Sequence, residues 1–81
     1  MSNSLYNGTI TYMIQAYVKN TVYQLRKQKN ITQEEFAQAV GATRQTVIAI
    51  EKGNYTPSVL LAIKIAKFFH KQVEDIFHYE K

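Results

Sequence analysis

Arg44 and Gln45 stand side by side in this 81-residue chain, and both side chains end in planar groups that can make paired hydrogen bonds. A guanidinium matches the O6 and N7 edge of guanine, and a carboxamide matches N6 and N7 of adenine. On a helix, positions i, i+1 and i+5 share one side. Arg44, Gln45 and Ala49 would then form one outward face while Val47 and Ile50 turn inward. Ala49 is short enough to admit a base edge or to touch a thymine methyl. For Ile48 two readings stay open: contact with a thymine methyl, or simple exposure.

Catalytic chemistry finds no such support. The sequence offers no paired carboxylates, no nucleophile–histidine set and no phosphate loop, so an enzyme is not expected. His70 and His78 stand without Cys or carboxylate partners at ligand spacing, and the chain has 0 Cys. No metal, cofactor or small-molecule ligand is therefore expected. The formal net charge of +4 favours an anionic partner such as nucleic acid, although a soluble basic protein has the same balance. Apolar content of 46% is too high for a disordered chain. No apolar run is long enough to cross a bilayer, and residues 1–16 make a poor signal peptide. A cytoplasmic protein with no membrane partner is the expectation.

The elements that would position these side chains follow from periodicity and capping. Residues 1–17 carry no Lys, Arg, Asp or Glu, and Thr9 to Val18 alternates with period two, which reads as a strand after a turn at Asn7-Gly8. Such a strand must pair with a partner chain, pack on helices or be remodelled as a helix. Residues 18–81 read as a helical domain. Val22 and Leu25 set a first helix from about Lys19 to Lys29, ending at Asn30. Thr32-Gln33-Glu34-Glu35 is a capping box opening a second, which carries Phe36, Ala37 and Val40 inward and stops at Gly41. Thr43 caps a third helix from Arg44 to about Lys52, closed by Gly53. Thr56-Pro57-Ser58 starts a fourth, with Leu61, Ala62, Ile65, Ala66 and Phe69 inward. A short last helix from about Val73 would bury Ile76 and Phe77, with Glu74 and Asp75 favouring its start. Lys64, Lys67 and Lys71 form a helical stripe that reads as a solvated face.

Between Gln33 and Ile50 the pattern is more specific. Ala37 lets two helices approach, Gly41 turns the chain, and Phe36, Val40, Val47 and Ile50 fill the angle. Helical hairpins in general share parts of this pattern, but the joint occurrence points to a helix-turn-helix whose second helix enters a major groove. The stretch Leu25-Arg26, Ile31 to Ala37, Val40 to Val47, Ile50 to Gly53 and Pro57-Ser58 resembles the phage-repressor/Cro-like family, also called XRE. The resemblance covers about Lys19 to Glu80 and implies an all-α, five-helix domain preceded by a short extension.

The resemblance also implies functions for single residues. Gln33 matches a position that contacts a phosphate, and Arg44, Gln45 and Ala49 match positions that contact bases. Ile48 departs from the polar residue usual at its place. Arg26 and Glu51 match a structural salt bridge between the first and third helices. Thr43 and Thr46 could donate to phosphates, with capping as the first task of Thr43. Lys52, Asn54 and Tyr55 follow the recognition helix and are expected on the DNA backbone.

The expected function is that of a sequence-specific, double-stranded-DNA-binding transcriptional regulator, a repressor acting as a homodimer. Two dimer surfaces offer themselves: the last helix with Val73, Ile76 and Phe77, or the uncharged N-terminal strand. The segment before Val18-Lys19-Asn20 is either such an arm or an upstream reading-frame extension. A different class of function also fits, an antitoxin-like protein-interaction module, with Leu60 and Phe68 expected to be exposed.

Overall fold

Each helix begins where a side chain can satisfy the free amides of its first turn. In the computed structural model, which describes residues 17–80, the order is β1 (Tyr17–Asn20), α1 (Val22–Gln28), α2 (Gln33–Val40), α3 (Arg44–Glu51), α4 (Val59–Phe69), α5 (Val73–Ile76) and β2 (Phe77–Glu80). The all-α, five-helix expectation is met, with a two-stranded sheet added. Thr32 accepts the Glu35 amide at 3.0 Å while Glu35 accepts the Thr32 amide at 2.8 Å, the reciprocal box expected for α2. Ser58 caps α4 by accepting the Leu61 amide at 3.1 Å. The sequence suggests Pro57 in the first turn; instead it precedes the cap, and the serine hydroxyl is the group that reaches an orphan amide. Asp75 accepts the Gln72 amide at 3.1 Å and starts α5.

The core gathers one face from each helix. Val22, Phe36, Val47, Ile50, Ile65 and Ile76 are all essentially inaccessible to solvent. Phe69 stacks on Phe36 at 5.3 Å between ring centroids, and Phe68 meets Phe36 edge-on at 5.4 Å. Phe68 is thus half-buried against the core, contrary to the exposure expected of it. Leu60 is exposed as expected.

The two ends of the domain pair with each other. β1 and β2 are antiparallel, with Val18 opposite Tyr79 and Asn20 opposite Phe77. The Thr21 amide extends the ladder by donating to the Ile76 carbonyl at 3.1 Å. Opposed residues share a face, so Val18, Asn20, Phe77 and Tyr79 lie on one side and Lys19 and His78 on the other. This pairing corrects two expectations. Lys19 and Asn20 are strand, not the start of α1, and Phe77 is strand, not the end of α5. In both cases long-range backbone pairing overrides a local helical pattern. The strand expected over Thr9 to Val18 otherwise lies outside the described residues, as does the arm over residues 1–17 except for Tyr17, where β1 begins.

Between α2 and α3 the chain turns at Gly41, whose φ of 75° is left-handed. The Gly41 amide donates to the Gln38 carbonyl at 3.3 Å and the Ala42 amide to the Ala37 carbonyl at 2.9 Å, which satisfies the end of α2. A Cβ added at Gly41 would meet Lys64 Nζ at 3.6 Å, an ordinary contact. The backbone angle, and not lack of space, is what favours glycine there.

Candidate nucleic-acid interface

Helix α3 is anchored along one side and open along the other. Val47 and Ile50 are buried, while Arg44 and Gln45 are exposed and have no side-chain hydrogen bond among the described residues. Thr43 has extended backbone angles (φ −96°, ψ 159°) and accepts the Thr46 amide at 3.1 Å, so it caps the helix. Its hydroxyl also donates to Thr46 Oγ1 at 3.0 Å. Ala49 and Ile48 are half-buried at the margins of the open side. At the far end, Gly53 adopts φ 80° and the Asn54 amide donates to the Ala49 carbonyl at 2.9 Å. That closure leaves Lys52, Asn54 and Tyr55 exposed just beyond the helix.

A buried ion pair fixes the tail of α3 against α1. Arg26 Nε donates to Glu51 Oε2 at 2.6 Å and Nη2 donates to Oε1 at 3.1 Å. Their side chains are 8% and 5% exposed. Arg26 Nη1 donates to the Ile31 carbonyl at 2.8 Å, so all three sides of the guanidinium are engaged. Hydrogen bonding to Glu51 raises the Arg26 pKa above its ordinary value; burial pulls the other way, and the charge of Glu51 adds to the rise. The Arg26 guanidinium also lies 5.4 Å from the centroid of the Tyr23 ring. The expected Arg26–Glu51 bridge is therefore present and bidentate.

Two polar residues join this lock. Gln33 is half-buried, and its Nε2 donates to Glu51 Oε1 at 3.1 Å, so its amide is oriented by the ion pair. Asn20 holds the same helix from the other side. Its Nδ2 donates to the Ile50 carbonyl at 2.9 Å, while its Oδ1 accepts the Val22 amide at 3.0 Å. One side chain thus caps α1 and ties β1 to the last turn of α3. Sequence reasoning missed Asn20. The available signal was an Asn two residues before the first apolar helix position, the spacing of an Asx-turn bond from side chain to backbone.

The arrangement presents a short helix as a rigid rod. Its inner side is set by packing, its tail by Arg26, Gln33 and Asn20, and its head by Thr43. Arg44 and Gln45 occupy the first turn of the open side, where base-edge hydrogen bonding is sterically free. A five-helix domain carrying such a rod is a DNA-binding module of the helix-turn-helix class.

The comparisons agree. The helix-turn-helix family model matches residues 22–76. An HTH-type transcriptional regulator of Methanocaldococcus jannaschii is 56% identical over 63 residues, which is 78% of this chain and 96% of the relative. The HTH-type transcriptional regulator YgzD of Bacillus subtilis is 52% identical over 64 residues, 79% of this chain and 97% of the relative. The cryptic phage CTXphi transcriptional repressor RstR of Vibrio cholerae is 31% identical over 55 residues, 68% of this chain and 50% of that protein. The chain belongs to the helix-turn-helix family, of the phage-repressor/Cro-like (XRE) type, and is an HTH-type transcriptional regulator. No helix among the described residues is long and apolar enough to cross a membrane.

Proposed function

We propose that this chain is a sequence-specific repressor that binds duplex DNA as a homodimer and reads the major groove with α3. The observation that carries the reading is the free, exposed pair Arg44 and Gln45 on a helix whose every other side is fixed. In this reading Arg44 and Gln45 bond to base edges, Ala49 admits them, and Ile48 brushes a thymine methyl from the margin. Gln33, Thr43, Thr46, Lys52, Asn54 and Tyr55 contact the backbone and set register without adding sequence information. Repression fits an operator-bound protein that occludes a promoter, and the relative RstR is named a repressor.

A second copy has a natural seat. Val59 is 78% exposed, and with Ile63 it rims an apolar groove lined by Val18, Ala62, Val73 and Phe77. No charged residue among those described lines it. Two chains of +4 each repel, so they meet best where neither presents charge. In this reading Val73 and Phe77 take part, whereas Ile76 does not, because its side chain lies wholly within its own core. Selection of bound sequences from random duplex DNA at fixed salt tests the whole reading. The expected result is a two-fold symmetric motif with half-sites about 34–36 Å apart along the axis. Failure to enrich any motif would overturn it. A promoter carrying the motif should lose expression when the protein is present.

A further inference from the structure

At the opposite flank of α4 from the apolar groove, a second groove of about 320 Å³ opens beside the head of α3. Thr43, Thr46, Tyr55, Ser58 and Lys64 line it, with Leu60 at its rim. A hydrogen-bond account of these groups is one-sided. Thr46 Oγ1 already accepts from Thr43, so its own proton is free to donate outward. Ser58 Oγ accepts the Leu61 amide, which leaves its proton free as well. The Tyr55 hydroxyl and the Lys64 ammonium have no hydrogen-bond or ion-pair partner among the described residues. No carboxylate of the described residues lines the groove. Four donors, one of them cationic, converge with no acidic competitor.

We propose that this groove holds one phosphate of the DNA backbone, with Lys64 supplying the charge and Thr46, Tyr55 and Ser58 the hydrogen bonds. The inference rests on the DNA-binding reading above and extends it to a residue that helical periodicity assigned to a solvated stripe. Lys64 differs from its stripe neighbours by position. Its Nζ lies over the Gly41 turn, two residues before the Thr43 cap, whereas Lys67 does not line this groove and Lys71 lies beyond the end of α4. The polar groove between β1 and the tail of α3 includes Glu51 and Lys19 and so lacks this purely donating character. The head of the recognition helix would then be held to the backbone from α4, independently of Lys52 and Asn54 at its tail.

Binding of the full chain to its selected duplex, measured by fluorescence anisotropy across a range of salt concentrations, tests the proposal. Lys64→Gln should lower the slope of log affinity against log salt by about 0.9 per subunit, about 1.8 for the dimer, and weaken binding about sixtyfold near 0.1 M salt. Sequence preference should not change, Lys64→Arg should restore the slope, and Lys67→Gln should leave it intact. Replacing backbone phosphates one at a time by methylphosphonate should reveal one position in each half-site at which the loss caused by Lys64→Gln is reduced. Tyr55→Phe and Ser58→Ala should weaken binding to that same position without altering the slope, which keeps the test decisive if Lys64→Gln folds poorly. A wild-type slope in Lys64→Gln would overturn the proposal, even with a lowered melting temperature, because Lys64 would then serve only the C-terminal carbonyls of α2. Absence of any duplex binding by the wild type would instead overturn the DNA reading and this inference together.

Discussion

Helices α3 and α4 lie in one small domain and are held in different ways. α4 is the longer, and its inner stripe of Ala62, Ile65, Ala66 and Phe69 is buried by packing. α3 buries Val47 and Ile50 along its length, so directional polar contacts from Arg26, Gln33, Asn20 and Thr43 complete its placement. Apolar packing tolerates small rotations, whereas a bidentate ion pair has one good geometry. The difference teaches that this domain fixes its scaffold by area and α3 by hydrogen bonds.

The largest expected effect breaks the polar lock. Glu51→Ala leaves the Arg26 guanidinium buried without its partner and should cost about 3–5 kcal/mol in urea unfolding. The comparison sharpens with the double change Arg26→Met plus Glu51→Leu. It should recover most of that stability, yet bind DNA more weakly than wild type, because packing alone leaves the angle of α3 less defined. Equal affinity of the double variant would mean that area also suffices for α3.

Removing area from α4 is the matching experiment. Ile65→Ala should cost about 2–4 kcal/mol, with DNA affinity of the folded fraction unchanged. Smaller effects follow for single polar ties. Asn20→Ala removes bonds to both the Val22 amide and the Ile50 carbonyl and should cost about 1–2 kcal/mol by thermal unfolding. Thr43→Ala should cost about 1 kcal/mol of stability, with a further loss of DNA affinity that the equivalent loss of a cap elsewhere would not produce. Arg44→Ala should leave melting unchanged, since its side chain is exposed and unpaired among the described residues; its effect should appear as weaker binding with relaxed base preference at one position of each half-site.

Legibility in the sequence followed the range of each interaction. The capping box at Thr32–Glu35 and the Thr43 cap were readable because cap and amide lie three residues apart. The inner residues of α2, α3 and α4 were readable because helical period places them. The Arg26–Glu51 pair was reached by resemblance, since its partners are far apart in the chain and charge alone does not match them. Asn20 was missed for the same reason: its bond to Ile50 spans 30 positions. Phe77 reads locally as the end of a helix, and only its ladder with β1 makes it strand. Phe68 looked exposed because the period of α4 does not show that Phe36 from α2 stands beside it.

The β1–β2 pairing has one more consequence, for the order of events in synthesis. β1 is the first described element to leave the ribosome and β2 the last, so the sheet cannot close until Phe77–Glu80 has been made. Asn20, which ties β1 to the tail of α3, is positioned in that same sheet. A nascent chain can therefore form its helices early, through local contacts, while the setting of α3 waits for β2. The geometry of α3 is thereby tied to synthesis of the segment that ends at Glu80.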